Sequence, residues 1–238
     1  GVKFTDVLLE VEGRRFPCHS SLLAVQSDFF RALFHGGFAE RVSGGGCKEV
    51  SLQCCGADAF VWVLRQCYGD LFTEAMQMED SPPLGELVGA AEQLLMPSLK
   101  HLCVTWMVHI VSVEDVFEAY EAALSLTDER LESRCIQIMA RHLEELLGRE
   151  EFSSLLIASA SSIQERQETD SIPLVDDIRA QLRRDAIAKG ADELDLDADL
   201  GLLGIGESDS DVRSEMVLRV HELFARLDQL MDTLGLEC

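Results

Sequence analysis

The chain has 238 residues, 47% of them hydrophobic, with eight cysteines and a formal net charge of −23. That apolar share is enough for a sizeable core, which excludes a wholly disordered chain, and the negative field excludes phosphate backbones and acidic membranes as general partners. No apolar run reaches the ~20 residues that a membrane-spanning helix needs; Gly1 leads into no secretory signal, and a start without Met is expected of a fragment whose upstream region is absent.

In chain order, Val7–Val11 reads as a strand, Glu12-Gly13 as a turn, and Arg14-Arg15-Phe16 as the returning strand of a hairpin. A short helix follows with Leu22, Leu23 and Val25. Ser27 is placed to cap a second helix over 28–34, whose apolar side carries Phe29, Phe30, Leu33 and Phe34. Gly36-Gly37 ends it, and Ser43-Gly44-Gly45-Gly46 is a loop without the Lys-Ser/Thr pair of a phosphate cradle. Residues 49–52 form a third strand candidate.

The remainder is predicted to be helical. Phe60, Val63, Leu64, Cys67 and Tyr68 share one helix face, and Ser81-Pro82-Pro83 interrupts the chain. Leu84, Leu87, Val88, Ala91 and Leu95 form the next stripe, and Pro97 separates it from Leu99, Leu102, Cys103, Trp106 and Met107. Ser112 and Asp115 resemble a capping box ahead of Val116, Tyr120 and Leu124. Leu131, Cys135, Ile138, His142 and Leu146 mark another helix, and Phe152, Leu155 and Leu156 one more. Helices of this kind bury their stripes against each other in pairs.

Residues 191–211 hold eight acids and no base, which predicts an exposed linker. Asp195-x-Asp197-x-Asp199 fails as a calcium loop, because Leu200 and Gly206 stand where glycine and glutamate are needed. Met216, Val220, Leu223, Leu227, Leu230 and Leu234 then form a heptad-like seam, open to three uses: a coiled coil, a dimer helix, or docking on the chain's own body. The cysteines (18, 47, 54, 55, 67, 103, 135 and 238) contain no C-x-x-C pair. They read as small hydrophobes in a reducing compartment, cytoplasm or nucleus. The six histidines show no H-E-x-x-H spacing, and neither G-x-S-x-G nor a kinase signature occurs. No catalytic residue, cofactor or metal is expected.

Asp6-Val7, Phe16-Pro17-Cys18-His19, Leu22-Leu23, Ser27-Asp28-Phe29-Phe30 and Leu33-Phe34 together resemble the opening of BTB/POZ domains, over residues 5–107. Residues 113–165 more loosely resemble the BACK extension that follows many of them. Arg166 to Arg179, with the closing Gly235-Leu236-Glu237-Cys238, is similar to the C-terminal end of ankyrin-repeat BTB/POZ proteins of the BPOZ type. The resemblance implies an α+β fold, with a BTB/POZ domain (1–110) whose small β-sheet is flanked by helices and an all-helical BACK-like extension (111–182); the residues themselves add an acidic linker (183–211), longer and more acidic than the family leads one to expect, and a C-terminal amphipathic helix (212–238).

The resemblance further implies a non-enzymatic protein-interaction module that forms a homodimer, with Val7, Leu9, Leu22 and Phe29 at the dimer interface. It implies a substrate adaptor for a cullin-3 ubiquitin ligase. Phe38-Ala39-Glu40 matches the family's hydrophobic-x-Glu contact, and Tyr68 matches another contact position. The alternative is a ligase-independent scaffold or transcriptional or translational co-regulator. His19 is structural in the family pattern. Ser20 stands where corepressor-recruiting relatives carry a basic residue, leaving Asp6 alone, which weighs against the repressor role.

Overall fold

The computed structural model describes residues 5–35, 48–69, 84–162, 171–191, 196 and 211–236. The chain divides into two compact units, Gly1–His109 and Ile110–Cys238.

The first unit is built on a three-stranded sheet of order β2-β1-β3. In β1 (Val7–Val11), Val7, Leu9 and Val11 are buried while Leu8 and Glu10 reach the other face, the two-residue alternation of a half-covered strand. Glu12 and Gly13 both take positive φ, 49° and 77°, which suits a tight turn to the right-handed twist of the strands. β2 (Arg14–Cys18) returns antiparallel, Leu9 opposite Phe16 and Val7 opposite Cys18. β3 (Lys48–Leu52) lies parallel to β1 on its other side.

α1 (Ser20–Gln26) starts where the Asp6 carboxylate accepts from the Ser20 N–H at 2.7 Å and the Ser20 hydroxyl at 2.5 Å. Asp6 is therefore not alone: it supplies the capping oxygen that the N-cap residue His19 does not. α2 (Asp28–His35) follows, and Ser27 caps it as predicted, its hydroxyl accepting from Phe30 N–H at 3.1 Å. The same hydroxyl donates to the Leu94 carbonyl at 2.5 Å, which satisfies a buried acceptor and ties the α1–α2 junction to a distant helix end.

α3 (Ala57–Cys67) is capped from afar: Glu12 accepts from Ala57 N–H at 2.9 Å and Glu86 accepts from Gly56 N–H. α4 (Leu84–Gln93) and α5 (Pro97–Ile110) complete the unit. Its core joins Phe16 edge-on to Phe60 (centroids 5.2 Å apart), with Leu23, Phe30, Leu87, Leu94, Leu99 and Cys103 buried.

The apolar stripe expected through Leu95 does not include it. Met96 N–H donates to the Ala91 carbonyl and Leu95 N–H to that of Glu92, the Schellman pattern that ends α4. Leu95 sits at the left-handed position of that motif, φ 51°, and its side chain turns out to solvent while Leu94 and Met96 face the core.

The second unit is helical among its described residues. α6 (Val116–Leu126) and α7 (Glu129–Arg141) form a hairpin closed by Thr127 at φ 53° and by Asp128, which accepts from the N–H groups of Arg130 and Leu131 at 3.1 Å each. Ser112 does not complete a capping box here: its hydroxyl donates to the Asp115 carboxylate at 2.9 Å, and that side chain caps no backbone. Leu124 faces solvent rather than the stripe expected for it.

α8 (Leu143–Leu146), α9 (Glu150–Ser161) and α10 (Pro173–Ala188) follow. α10 runs to Ala188 because Leu182 and Ala186 continue its buried stripe, so residues 183–188 are helix and not linker. Gly190, φ 99°, then turns the chain and Ala191 is buried.

α11 (Asp211–Leu234) docks on α9 and α10. Its buried line is Val217, Val220, Leu227 and Met231, rotated from the expected seam: Met216, Leu223, Leu230 and Leu234 are only half-buried. Two partner helices cover a wider stripe than a two-helix seam would. Phe224 lies under the guanidinium groups of Arg179 and Arg183, Arg179 pairs with Asp228, and Glu144 takes Arg226 at 3.0 Å and Arg219 at 3.5 Å. Among the described residues no helix is long and apolar enough to cross a membrane.

Candidate protein-binding surface

The four residues expected at a dimer interface part company. Val7 and Leu9 are 0% exposed, because they lie on the face of β1 that is turned into the unit's own core. Neither side chain can meet a partner without unfolding the sheet. Leu22 is 41% exposed on α1, and Phe29 is half-buried, edge-on to Phe30.

The structure adds two residues that the sequence reading did not place at the surface. Val25 is 76% exposed, one helical turn after Leu22 and on the same side of α1; Leu23 and Ala24, on the opposite side, are buried. Leu95 is 55% exposed. Its carbonyl accepts from Asp28 N–H at 3.4 Å, so its backbone borders the α1–α2 junction. An aliphatic residue held at positive φ with its side chain in water pays twice, in backbone strain and in lost burial, a combination that concentrates at functional surfaces. The i, i+3 spacing of Leu22 and Val25 is visible in the sequence, but it does not say which side of a seven-residue helix the sheet covers.

Phe38 and Glu40, the expected cullin-contact pair, lie outside the described residues. Tyr68 closes α3 and is 43% exposed. Its hydroxyl accepts from His19 N–H at 3.0 Å and lies 2.9 Å from His19 Nδ1, with the two rings edge to face. The hydroxyl is thus held by the residue before α1 rather than left free in solvent. Burial pushes it above the usual phenol range, against the lowering effect of the His19 N–H bond. Tyr68 also borders a shallow cleft of about 480 Å³ with Val61, Leu64, Arg65 and Gly69, over which a partner side chain can pack. Beside it the Arg65 guanidinium stacks 4.6 Å from the Trp62 ring.

The Asp6 carboxylate is pulled two ways. Burial raises it, and the paired Ser20 bonds more than offset that, leaving it below the usual carboxylate range. Buried thiols and a buried phenol are shifted by desolvation. Burial pushes the thiols of Cys67, Cys103 and Cys135 up to about 12 each. Burial beside Glu132 and Asp177 does the same to the Tyr120 hydroxyl, also to about 12. Among the described residues no group of three or more His, Cys, Asp or Glu side chains is arranged to hold a metal ion.

The surface of the first unit thus carries an exposed apolar set at the start of its helices and a part-exposed aromatic at the end of α3. Residues 1–110 match the family model for the BTB/POZ domain, and the chain carries a BTB/POZ domain there. Such domains are modules of protein–protein interaction and commonly dimerise.

Among relatives, the chain is 29% identical over 155 residues to BTB/POZ domain-containing protein 9 of Homo sapiens, covering 65% of this chain and 24% of that protein. It is 29% identical over 202 residues to an ankyrin repeat-containing protein of Saccharomyces cerevisiae, covering 76% of this chain and 38% of that one. It is 27% identical over 235 residues to BTB/POZ domain-containing protein 3 of Schizosaccharomyces pombe, covering 98% and 42%. The chain therefore spans less than half the length of these relatives.

Proposed function

We propose that this chain is the dimerising adaptor part of a cullin-3 ubiquitin ligase, working in the cytoplasm or nucleus and carrying no covalent chemistry of its own. The observation that carries the dimer is the exposed apolar set Leu22, Val25 and Leu95 at the α1–α2 junction, beside half-buried Phe29. Leu22, Val25, Phe29 and Leu95 replace Val7 and Leu9 as the proposed interface side chains.

The ligase reading is supported by the Phe38-x-Glu40 pattern and by Tyr68 at the mouth of its cleft. An aromatic and an aliphatic cleft supply buried area at such a contact, and a carboxylate fixes orientation. The helical second unit, read as a BACK-like extension, would space the substrate end from the ligase. The adaptor then acts by raising the effective concentration of a bound protein substrate near the ligase scaffold.

The test is calorimetric titration of the purified chain with the N-terminal domain of cullin-3. Micromolar or tighter binding, lost on joint substitution Phe38→Ala and Glu40→Lys and weakened by Tyr68→Ala, is the expected result. A light-scattering dimer with no heat on titration would leave the ligase-independent scaffold as the function.

A further inference from the structure

Cys54 and Cys55 differ from the other described cysteines. Cys18, Cys67, Cys103 and Cys135 are buried. Cys54 and Cys55 are half-buried, adjacent in sequence, and their sulfurs lie 3.7 Å apart in hydrogen-bonding contact. They open on a cleft of about 650 Å³ lined also by Glu12, Ser51, Gln53 and Glu86. They stand directly before Gly56, the N-cap of α3, where a helix N-terminus favours negative charge. The neighbouring carboxylates already have donors of their own, Glu12 from Ala57 N–H and Glu86 from Gly56 N–H.

We propose that Cys54 and Cys55 form a dithiol modification site that a small hydroperoxide closes to a vicinal disulfide and that, when reduced, grips a trivalent arsenical through both sulfurs. The two sulfurs are in contact with either thiol placed to donate, and that contact favours a single thiolate; it holds Cys54 below the usual thiol range against the opposing effect of burial, and Cys54 is the attacking sulfur. Cys55 is pushed up by that same hydrogen bond, then by burial and the nearby thiolate and carboxylates, so it keeps its proton until the second step.

The Cys54 thiolate attacks the terminal oxygen of the hydroperoxide and the O–O bond breaks. The leaving alkoxide, or hydroxide from hydrogen peroxide, takes up the proton that Cys54 had lost. This makes a sulfenic acid on Cys54. Cys55 gives up its proton and attacks the Cys54 sulfur, and the hydroxyl group departs with that proton as water. Two thiols lose two electrons; the hydroperoxide becomes an alcohol, or water, plus one further water.

Closure draws the sulfurs from 3.7 Å to a bond of about 2.05 Å. The strain falls on the segment before α3. Gly56, the residue after Cys55, is tied there by its N–H bond to the Glu86 carboxylate.

The experiment uses the whole chain, fully reduced and then treated with hydrogen peroxide. Non-reducing peptide mapping is expected to show the peptide spanning Cys54 and Cys55 lighter by two hydrogens and closed to alkylation. Native protein is also expected to bind p-aminophenylarsine oxide, and folded Cys54→Ser and Cys55→Ser variants each to lose that binding. Unchanged arsenical binding in both variants, or peroxide giving sulfinic acids with no linked pair, would overturn the site.

Discussion

α1 in the first unit and α11 in the second are both amphipathic, and they meet opposite fates. α11 spends its apolar stripe within its own unit: Val217, Val220, Leu227 and Met231 are buried, and Phe224 is roofed by two arginines. α1 buries Leu23 and Ala24 and leaves Leu22 and Val25 in water, next to the outward-turned Leu95. An apolar stripe in a sequence reports that something will cover it. Whether the cover is the same chain or another is decided by what the fold leaves unopposed.

The contrast can be broken most severely at α11. Leu227→Ala removes a side chain with no solvent exposure, and a loss of about 2–5 kcal/mol is expected from denaturant melts of the second unit. The same truncation at Leu22 or Val25 should cost less than about 0.5 kcal/mol, as for ordinary surface changes. Joint substitution Leu22→Asp and Val25→Asp should instead convert a dimer to a monomer in light scattering, with circular dichroism unchanged. If the melt drops steeply, α1 is covered within the protomer after all.

Next in size is Ser27→Ala. It deprives Phe30 N–H of its cap and leaves the Leu94 carbonyl without its donor, so about 1–2 kcal/mol of stability should be lost. Leu95→Gly works the other way. Glycine relieves the left-handed strain, and up to about 1 kcal/mol of stability should be gained while self-association weakens. A stability gain with no change in association would remove Leu95 from the interface.

The smallest effect concerns acid. Asp6 has a folded value below its unfolded one, so its contribution is present above the unfolded value, about pH 4, and is lost as pH falls through the folded one. Asp6→Asn should lower stability at neutral pH, where the contribution is fully present, leave strongly acid pH least affected, and so flatten the stability curve between them. An unchanged acid limb would show that the Ser20 bonds carry no linkage.

Much of this was legible in the sequence because it is local. The β1–β2 hairpin follows from alternation and a Glu-Gly turn, the Ser27 cap from residue type, and the helices from periodicity. What escaped is what distant residues decide. Val7 and Leu9 read as strand residues sharing a face with Val11, but alternation alone does not say that the rest of the unit covers that face completely. Leu95 fits the stripe by spacing, and only the Schellman hydrogen bonds turn it out.

The caps on α3 come from 45 and 30 residues away, and the partner of Tyr68 from 49 residues away. No local pattern announces such contacts. The linker expected from residue 183 starts later, because Leu182 and Ala186 continue the buried stripe of α10 to Ala188, while the run of acids begins only beyond it.

The sheet order has a consequence for behaviour in a crowded solution. The strand with the greatest appetite for pairing, β1, is enclosed on both sides, and β2 flanks it with exposed Arg14, Arg15 and Pro17. Proline cannot donate to an incoming strand, and paired arginines resist a flat approach. Along that flank a newly made neighbour with an unsatisfied strand finds a poor template for fibrous growth, so this edge stays closed to strand exchange even where copies are concentrated.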